Sequence, residues 1–181
     1  MIEAEEVRNI FDYHDGRLFW RRRPRSQFAT YNAYRTWNAR YSGKEAGSLN
    51  GKKYLHIGLT FKGKRFHYKA HRLVWAWHYG VWPSDQVDHV DHDRSNNRVD
   101  NLRDVSNCEN GRNQSRYVNN TSGATGVYWY AGRNKWRASI SVNGKNRHLG
   151  IFNDVFSAIS ARKKAERAIG FHANHGKDAP V

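Results

Sequence analysis

The chain has 181 residues, with 31 Lys and Arg against 16 Asp and Glu, a formal net charge of +15 and a pI near 10.2. This length accommodates one domain or two small ones. So strong a positive charge exceeds what solubility requires and points to a polyanionic partner. No run approaches the roughly 20 apolar residues of a membrane span, and the acidic start MIEAEEV does not resemble a signal peptide. A single cysteine, Cys108, excludes an intrachain disulfide and a Cys-pair zinc frame. The expectation is a cytoplasmic protein with no membrane partner and no small-molecule cofactor.

The predicted elements begin with a short helix over Ile2 to Tyr13, followed by an Asp15-Gly16 turn and a strand at Leu18-Phe19-Trp20. Arg21 to Tyr41, around RRRPRS, is basic and polar and is predicted to be a loop, either one that orders on the polyanionic partner or a solvated flexible segment. Lys53 to Leu59 and Arg65 to Tyr68 form a predicted β-hairpin around Lys62-Gly63-Lys64. His71 to Tyr79 is predicted to be a helix stopped by Gly80 and Pro83, its Leu73, Val74 and Trp77 face packing a core. His67, His71 and His78 come with no thiolate and no HExxH pattern, so a histidine zinc site is not expected.

The most informative stretch is Gln86 to Asn113, QVDHVDHDRSNNRVDNLRDVSNCENGRN. Val87 and Val90 flank Asp88-His89 in a β-prone run. Asp91 to Asp100 is a polar loop, and Leu102 to Val105 alternates as a returning strand. Ser106 and Glu109 fit the S-x-x-E capping box, which places Asn110 in the first turns of a helix. A carboxylate, an imidazole and two asparagines in this pattern suit one hard cation and one activated water. Imidazole is a natural base near neutral pH, and Mg²⁺ takes one or two oxygen ligands while keeping its waters.

Val87 to Asn110, with the doubled Asn96-Asn97, resembles the ββα-metal motif of HNH endonucleases in the form common to phage-encoded and homing enzymes. The preceding HRLVW-like helix extends the likeness back to about Lys44. The resemblance implies that His89 is the general base, that Asp88 and Asn110 bind one Mg²⁺ or Mn²⁺, and that Asn101 pins the loop. His92 stands where many such enzymes carry Gly, and is read as a loop or phosphate-contacting residue.

Beyond a loop at Ser115 to Ala124, the pattern gives strands at Gly126 to Tyr130, Lys135 to Val142 and Arg147 to Phe152. An Asn143-Gly144 turn joins the last two, and a helix from Val155 to Ile169 follows an Asn153-Asp154 cap. Alternation aims Trp136, Ala138, Ile140 and Val142 at the helix and Lys135, Arg137, Ser139 and Ser141 away from it. Gly126-Val127, Lys135-Trp136, the strand ISV, Leu149-Gly150 and Phe152 make this block similar to the AP2 DNA-binding domain. That likeness implies a groove-facing surface of Tyr128, Tyr130, Arg133, Lys135, Arg137, Asn146 and His148. It departs from plant AP2 domains in placing Ser139 and Ser141 where they carry more arginine, which implies weaker base readout.

The expected architecture is therefore α+β: a ββα-metal (HNH) nuclease core followed by a three-stranded antiparallel sheet with one packed helix (AP2-like). It divides into an N-terminal region at 1–43, a nuclease domain at 44–114, a linker at 115–124, a DNA-binding domain at 125–172 and a tail at 173–181. The expected activity is metal-dependent hydrolysis of double-stranded DNA, of the homing type. A catalytically inactive DNA-binding regulator is the alternative.

Overall fold

The computed structural model describes residues 2–51, 53–61 and 63–178. The chain forms two compact units divided between Val105 and Ser106, inside the span 44–114 that the sequence pattern groups together. No helix among the described residues is long and apolar enough to cross a membrane.

In the first unit the segment from Ile2 to Tyr13 is not one helix. Only α1 (Val7–Ile10) is helical, and the chain then extends as β1 (Phe11–His14), antiparallel to β2 (Arg17–Trp20). Asp15 and Gly16 have φ of 47° and 85°, the pair of left-handed residues that a tight two-residue hairpin turn demands. Phe11 and Leu18 are buried on one side of this ribbon. Arg21 to Tyr41 is not a loop either. After a 3-10 turn at Arg25–Gln27, α2 (Tyr31–Tyr41) starts from Thr30, whose hydroxyl accepts from the Ala33 N–H at 3.1 Å. Its Trp37 and Tyr41 lie against Trp20, at 5.6 and 6.3 Å between ring centres.

β3 (Ser48–Leu49), β4 (Leu55–Phe61) and β5 (Lys64–Lys69) make an antiparallel sheet in that order, with Ile57 opposite Tyr68. Lys62 of the expected turn lies outside the described residues. α3 (Ala70–Tyr79) ends at Gly80, left-handed at φ 72°, whose N–H returns to the Ala76 carbonyl at 2.9 Å. Leu73, Val74 and Ala76 of α3 meet Ile57, Leu59, Phe11, Val7 and Ile2 in one apolar core. Val87 of β6 (Gln86–His89) and Leu102 of β7 (Leu102–Val105) join it, which fixes the face of this two-stranded ribbon.

The second unit begins with α4 (Asn107–Gly111), which carries both bonds of the Ser106–Glu109 capping box. β8 (Val127–Tyr130), β9 (Lys135–Val142) and β10 (Lys145–Phe152) form an antiparallel sheet with β9 in the middle, and α5 (Val155–Ile169) packs on it. Asn143 and Gly144, at φ 51° and 76°, make the β9–β10 turn. The core here is small: Ala124, Val127, Ala138 and Ala158, with Trp136, Leu149 and Phe152 against them. A buried ion pair supplements it, Arg162 Nε donating to Glu166 Oε1 at 2.8 Å while Arg162 Nη1 reaches the Ser139 carbonyl. Ser139, expected to face outward, is buried; its short side chain stands on the central strand directly opposite His148.

Gly126 is where this packing is least forgiving. Its φ is +79°, and a Cβ there would come within 2.5 Å of the Ser139 carbonyl and 2.6 Å of Arg162 Nη1. Gly126→Ala should destabilise the protein by about 2 kcal/mol or more, from backbone strain and a displaced buried guanidinium. Urea unfolding monitored by tryptophan fluorescence measures this, and wild-type stability would contradict the packing described.

Candidate active site

Asp88 and His89 occupy the end of β6, and the polar chain from Asp91 to Asp100 leads back to β7. Apart from Val99 such a loop has no apolar side chain with which to hold itself, and Asn101 supplies the tie. Its Nδ2 donates to Asp91 Oδ1 at 2.9 Å and to the Asn96 carbonyl at 2.8 Å, while its Oδ1 accepts from the Asp91 N–H at 3.1 Å. The Asn101 carbonyl also accepts from the Val90 N–H at 2.9 Å. Asp91 extends the knot, accepting from Asn96 Nδ2 at 2.7 Å and from the Asp93 N–H at 2.8 Å.

The β1–β2 hairpin presses on the same loop from outside. Asp15 pairs with Arg98 at 2.7 Å, the Tyr13 hydroxyl accepts from the Val99 N–H at 3.3 Å, and a Cβ on Gly16 would sit 2.8 Å from the Arg98 nitrogen. His92, at φ 69°, adopts a left-handed conformation that suits glycine, which gives a physical reason for glycine at this turn in the enzymes the motif resembles.

The knotted loop delivers Asn97 to His89. Asn97 is buried, and its Oδ1 accepts from His89 Nε2 at 3.0 Å. Because that oxygen can only accept, Nε2 carries the proton of the neutral ring and the lone pair resides on Nδ1. His89 is 4 % exposed. The ring of His71 meets it edge-on at 5.0 Å, with Tyr54 at 5.5 Å from His71 and 6.2 Å from His89. Lys69 and Arg94 lie over the Tyr54 ring at 4.7 and 5.1 Å, so two cations border the imidazoles.

Burial lowers the His89 pKa from the ordinary histidine value; the Asn97 bond and then the carboxylates of Asp91, Asp88 and Asp93 oppose that shift. His71 is pushed down to about 3, first by burial and then by His89, Lys69 and Arg72. Both rings are therefore neutral near pH 7, and only a neutral imidazole can take a proton.

Asp88 is directly opposite Arg103 across the ribbon, and Arg103 Nε and Nη2 both reach Asp88 Oδ2, at 2.9 and 2.7 Å. Among the described residues no three His, Cys, Asp or Glu side chains form a metal cluster. The Asp88 carboxylate is a hard oxygen donor of the kind that Mg²⁺ takes. Asn110 sits in α4 of the second unit, its N–H bonded to the Ser106 carbonyl at 2.9 Å.

On the second unit's sheet, the outward face gathers around Arg137. Its guanidinium lies 6.0 Å from the Tyr128 ring centre and 5.9 Å from that of Tyr130, and its Nε donates to His148 Nδ1 at 3.3 Å. Lys135 pairs with Tyr130, Asn146 is opposite Ser141, and Arg133 is exposed in the turn before β9. Asn97, Arg103, His71 and Tyr54 join the site only through the fold. The doubled asparagine was the visible signal for Asn97, and the β6–β7 register was the signal for Arg103.

An HNH endonuclease family model matches residues 68–112. The chain is also 31% identical over 89 residues to Protein 3.8 of Escherichia phage T7, an alignment covering 48% of this chain and 74% of that protein. No solved structure matches significantly.

The buried histidines set an acid limit on stability. In the unfolded chain His71 and His89 take up protons near pH 6.5, whereas in the folded chain their pKa values are depressed. Their contribution is therefore intact above about pH 6.5 and is lost as pH falls toward the folded values, by up to about 1.4 kcal/mol per pH unit for each ring. His71→Gln should flatten the decline between pH 6 and 4, and Asn97→Ala should lower the His89 pKa further. Unfolding midpoints against pH and imidazole NMR titration measure these two effects; a His89 titrating at or above 6.5 would contradict the burial described.

Proposed function

We propose that this chain, which belongs to the family of Protein 3.8 of Escherichia phage T7 and carries an HNH endonuclease domain at residues 68–112, hydrolyses phosphodiester bonds of duplex DNA with one divalent cation. The observation that carries the reading is the neutral His89, held through Nε2 by Asn97 in a loop tied by Asn101, beside Asp88 at the end of one strand.

In this mechanism His89 removes a proton from the attacking water through Nδ1, and Asn97 keeps the ring in the tautomer that makes this possible. Asn101 acts by holding the loop, and the Asp88 carboxylate is a hard oxygen donor for Mg²⁺ or Mn²⁺. When bound, the cation supplies charge neutralisation at the scissile phosphate and the departing oxygen. Lys69 and Arg94, stacked about Tyr54, offer positive charge to the neighbouring phosphate. In the second unit, the face formed by Tyr128, Tyr130, Arg133, Lys135, Arg137, Asn146 and His148 is proposed as an AP2-like anchor on the duplex. The homing-type role implied by the sequence resemblance belongs to the same reading. One observation favours a second reading: Arg103 already neutralises Asp88, as suits a regulator that binds DNA without cutting it.

Supercoiled plasmid separates the two. Nicking should require Mg²⁺ or Mn²⁺ and stop in EDTA, and His89→Ala should slow it by about 10² to 10⁴ while duplex affinity stays within a few-fold. Undiminished cutting in chelator would contradict the cation's role. No cutting by the wild-type protein in either metal would leave the regulator reading standing. On the sheet, Arg137→Ala should weaken duplex binding and reduce the slope of log K against log salt by roughly one phosphate, about 0.9.

A further inference from the structure

α2 has no place in the chemistry above, and its residues are sorted with unusual clarity. Tyr34, Trp37, Asn38 and Tyr41 face inward: Trp37 and Tyr41 lie on Trp20, and the Asn38 amide holds both the N–H and the carbonyl of Arg23, at 2.9 and 3.1 Å. That leaves Asn32, Arg35, Thr36 and Ala39 on the exposed side, spaced i, i+3, i+4 and i+7, so they form one stripe along the helix.

An ordinary solvated helix face mixes both signs of charge. Here the chain from Gly16 to Lys44 contains seven arginines, one lysine and no carboxylate. Several of these arginines are also pre-positioned. Arg22 lies over Tyr34 and donates to its hydroxyl at 2.8 Å, Arg35 lies 6.0 Å over Tyr31, and Arg25 is tied to the Phe28 carbonyl.

We propose that α2 is a base-reading helix that enters the major groove of duplex DNA. The groove is roughly 12 Å wide and admits one α-helix. The stripe holds residue types that discriminate base edges: asparagine pairs with adenine, arginine with guanine, and the methyl groups of threonine and alanine contact thymine. Ala33 and Ala39 keep the helix slim, and Arg22, Arg25 and Arg40 at its ends suit the flanking phosphates, which set register without reading sequence. Charge complementarity selects a polyanion, and α2 exposes no large apolar side chain other than Tyr31, which argues against a membrane surface. The choice of DNA rests on the nuclease reading; the sorting of the helix faces does not.

The test is a binding selection with the full-length protein in EDTA, from a pool of short duplexes with randomised centres. The wild-type protein should enrich a sequence motif. Asn32→Ala/Arg35→Ala, two exposed substitutions that raise helix propensity, should lose preference at the corresponding base pairs. Affinity for the selected site should fall roughly 10-fold or more, while affinity for the unselected pool stays within about threefold. Arg22→Gln/Arg25→Gln should instead weaken both equally and reduce the salt slope by roughly one to two. A wild-type protein that binds the pool but enriches no motif, or a double alanine variant that selects the wild-type motif, overturns the base-reading helix and leaves the nuclease reading intact. Failure to bind any duplex overturns both.

Discussion

The Asn101 side chain is the interaction on which the rest of the first unit's site depends. The loop it closes, Asp91 to Asp100, has Val99 as its one apolar residue, too little for apolar burial alone to order it. Fixing each of its residues costs about 1 to 2 kcal/mol in backbone entropy, against which a single hydrogen bond contributes about 1 kcal/mol. The order is therefore cooperative. One amide spans Asp91 and Asn96, Asp91 engages Asn96 and Asp93, and the β1–β2 hairpin braces Arg98 and Val99 from outside. Asn97 reaches His89 because of all of these together. The tautomer and orientation of the proposed base are thus set by the loop.

Charge is distributed to the same end. The chain is strongly basic, yet six of its 16 carboxylates fall between Asp85 and Asp104. Those of Asp88, Asp91 and Asp93 oppose the depression of the His89 pKa by burial, so the ring keeps more basicity than burial alone would leave it. Elsewhere, arginines rest on aromatic faces, at Arg22, Arg23 and Arg35 in the first unit and Arg137 in the second. A stacked guanidinium keeps its charge and loses less freedom when it meets a phosphate, which suits both surfaces proposed to contact DNA.

Much of this was legible from local signals. Asp88-His89, the polar loop, the alternation of Leu102 to Val105 and the Ser106–Glu109 box each announce themselves within a few residues, and the Asn143-Gly144 pair marks its hairpin. The errors share a cause: tertiary contacts overrode a weak local pattern. FDYH has only two apolar residues with which to declare a strand, and β1 exists because Leu18, Trp20 and the Asp15-Gly16 turn give it a partner. α2 buries no residue fully, and its inward face is aromatic and amide, so its periodicity is visible only once Trp20 is known to lie beneath it. Ser139 was placed outward by alternation alone, which describes direction and not the covering supplied by neighbours on a central strand. At the site, residue types revealed the candidates, whereas Arg103 opposite Asp88 and His71 beside His89 became apparent only from strand register and helix packing.

The account stands on the claim that the Asn101 amide orders the loop that orders His89, and Asn101→Asp addresses it directly. The substitution keeps the shape and the acceptor for the Asp91 N–H but removes both donors and sets a second carboxylate against Asp91. Amide hydrogen exchange at Asp91 and Asn97, measured with single-turnover nicking in Mg²⁺, should show lost protection in the loop and a rate lowered by about 10², the scale on which small misplacements of a catalytic group act. A loop that loses its protection while nicking continues at the wild-type rate would contradict the claim.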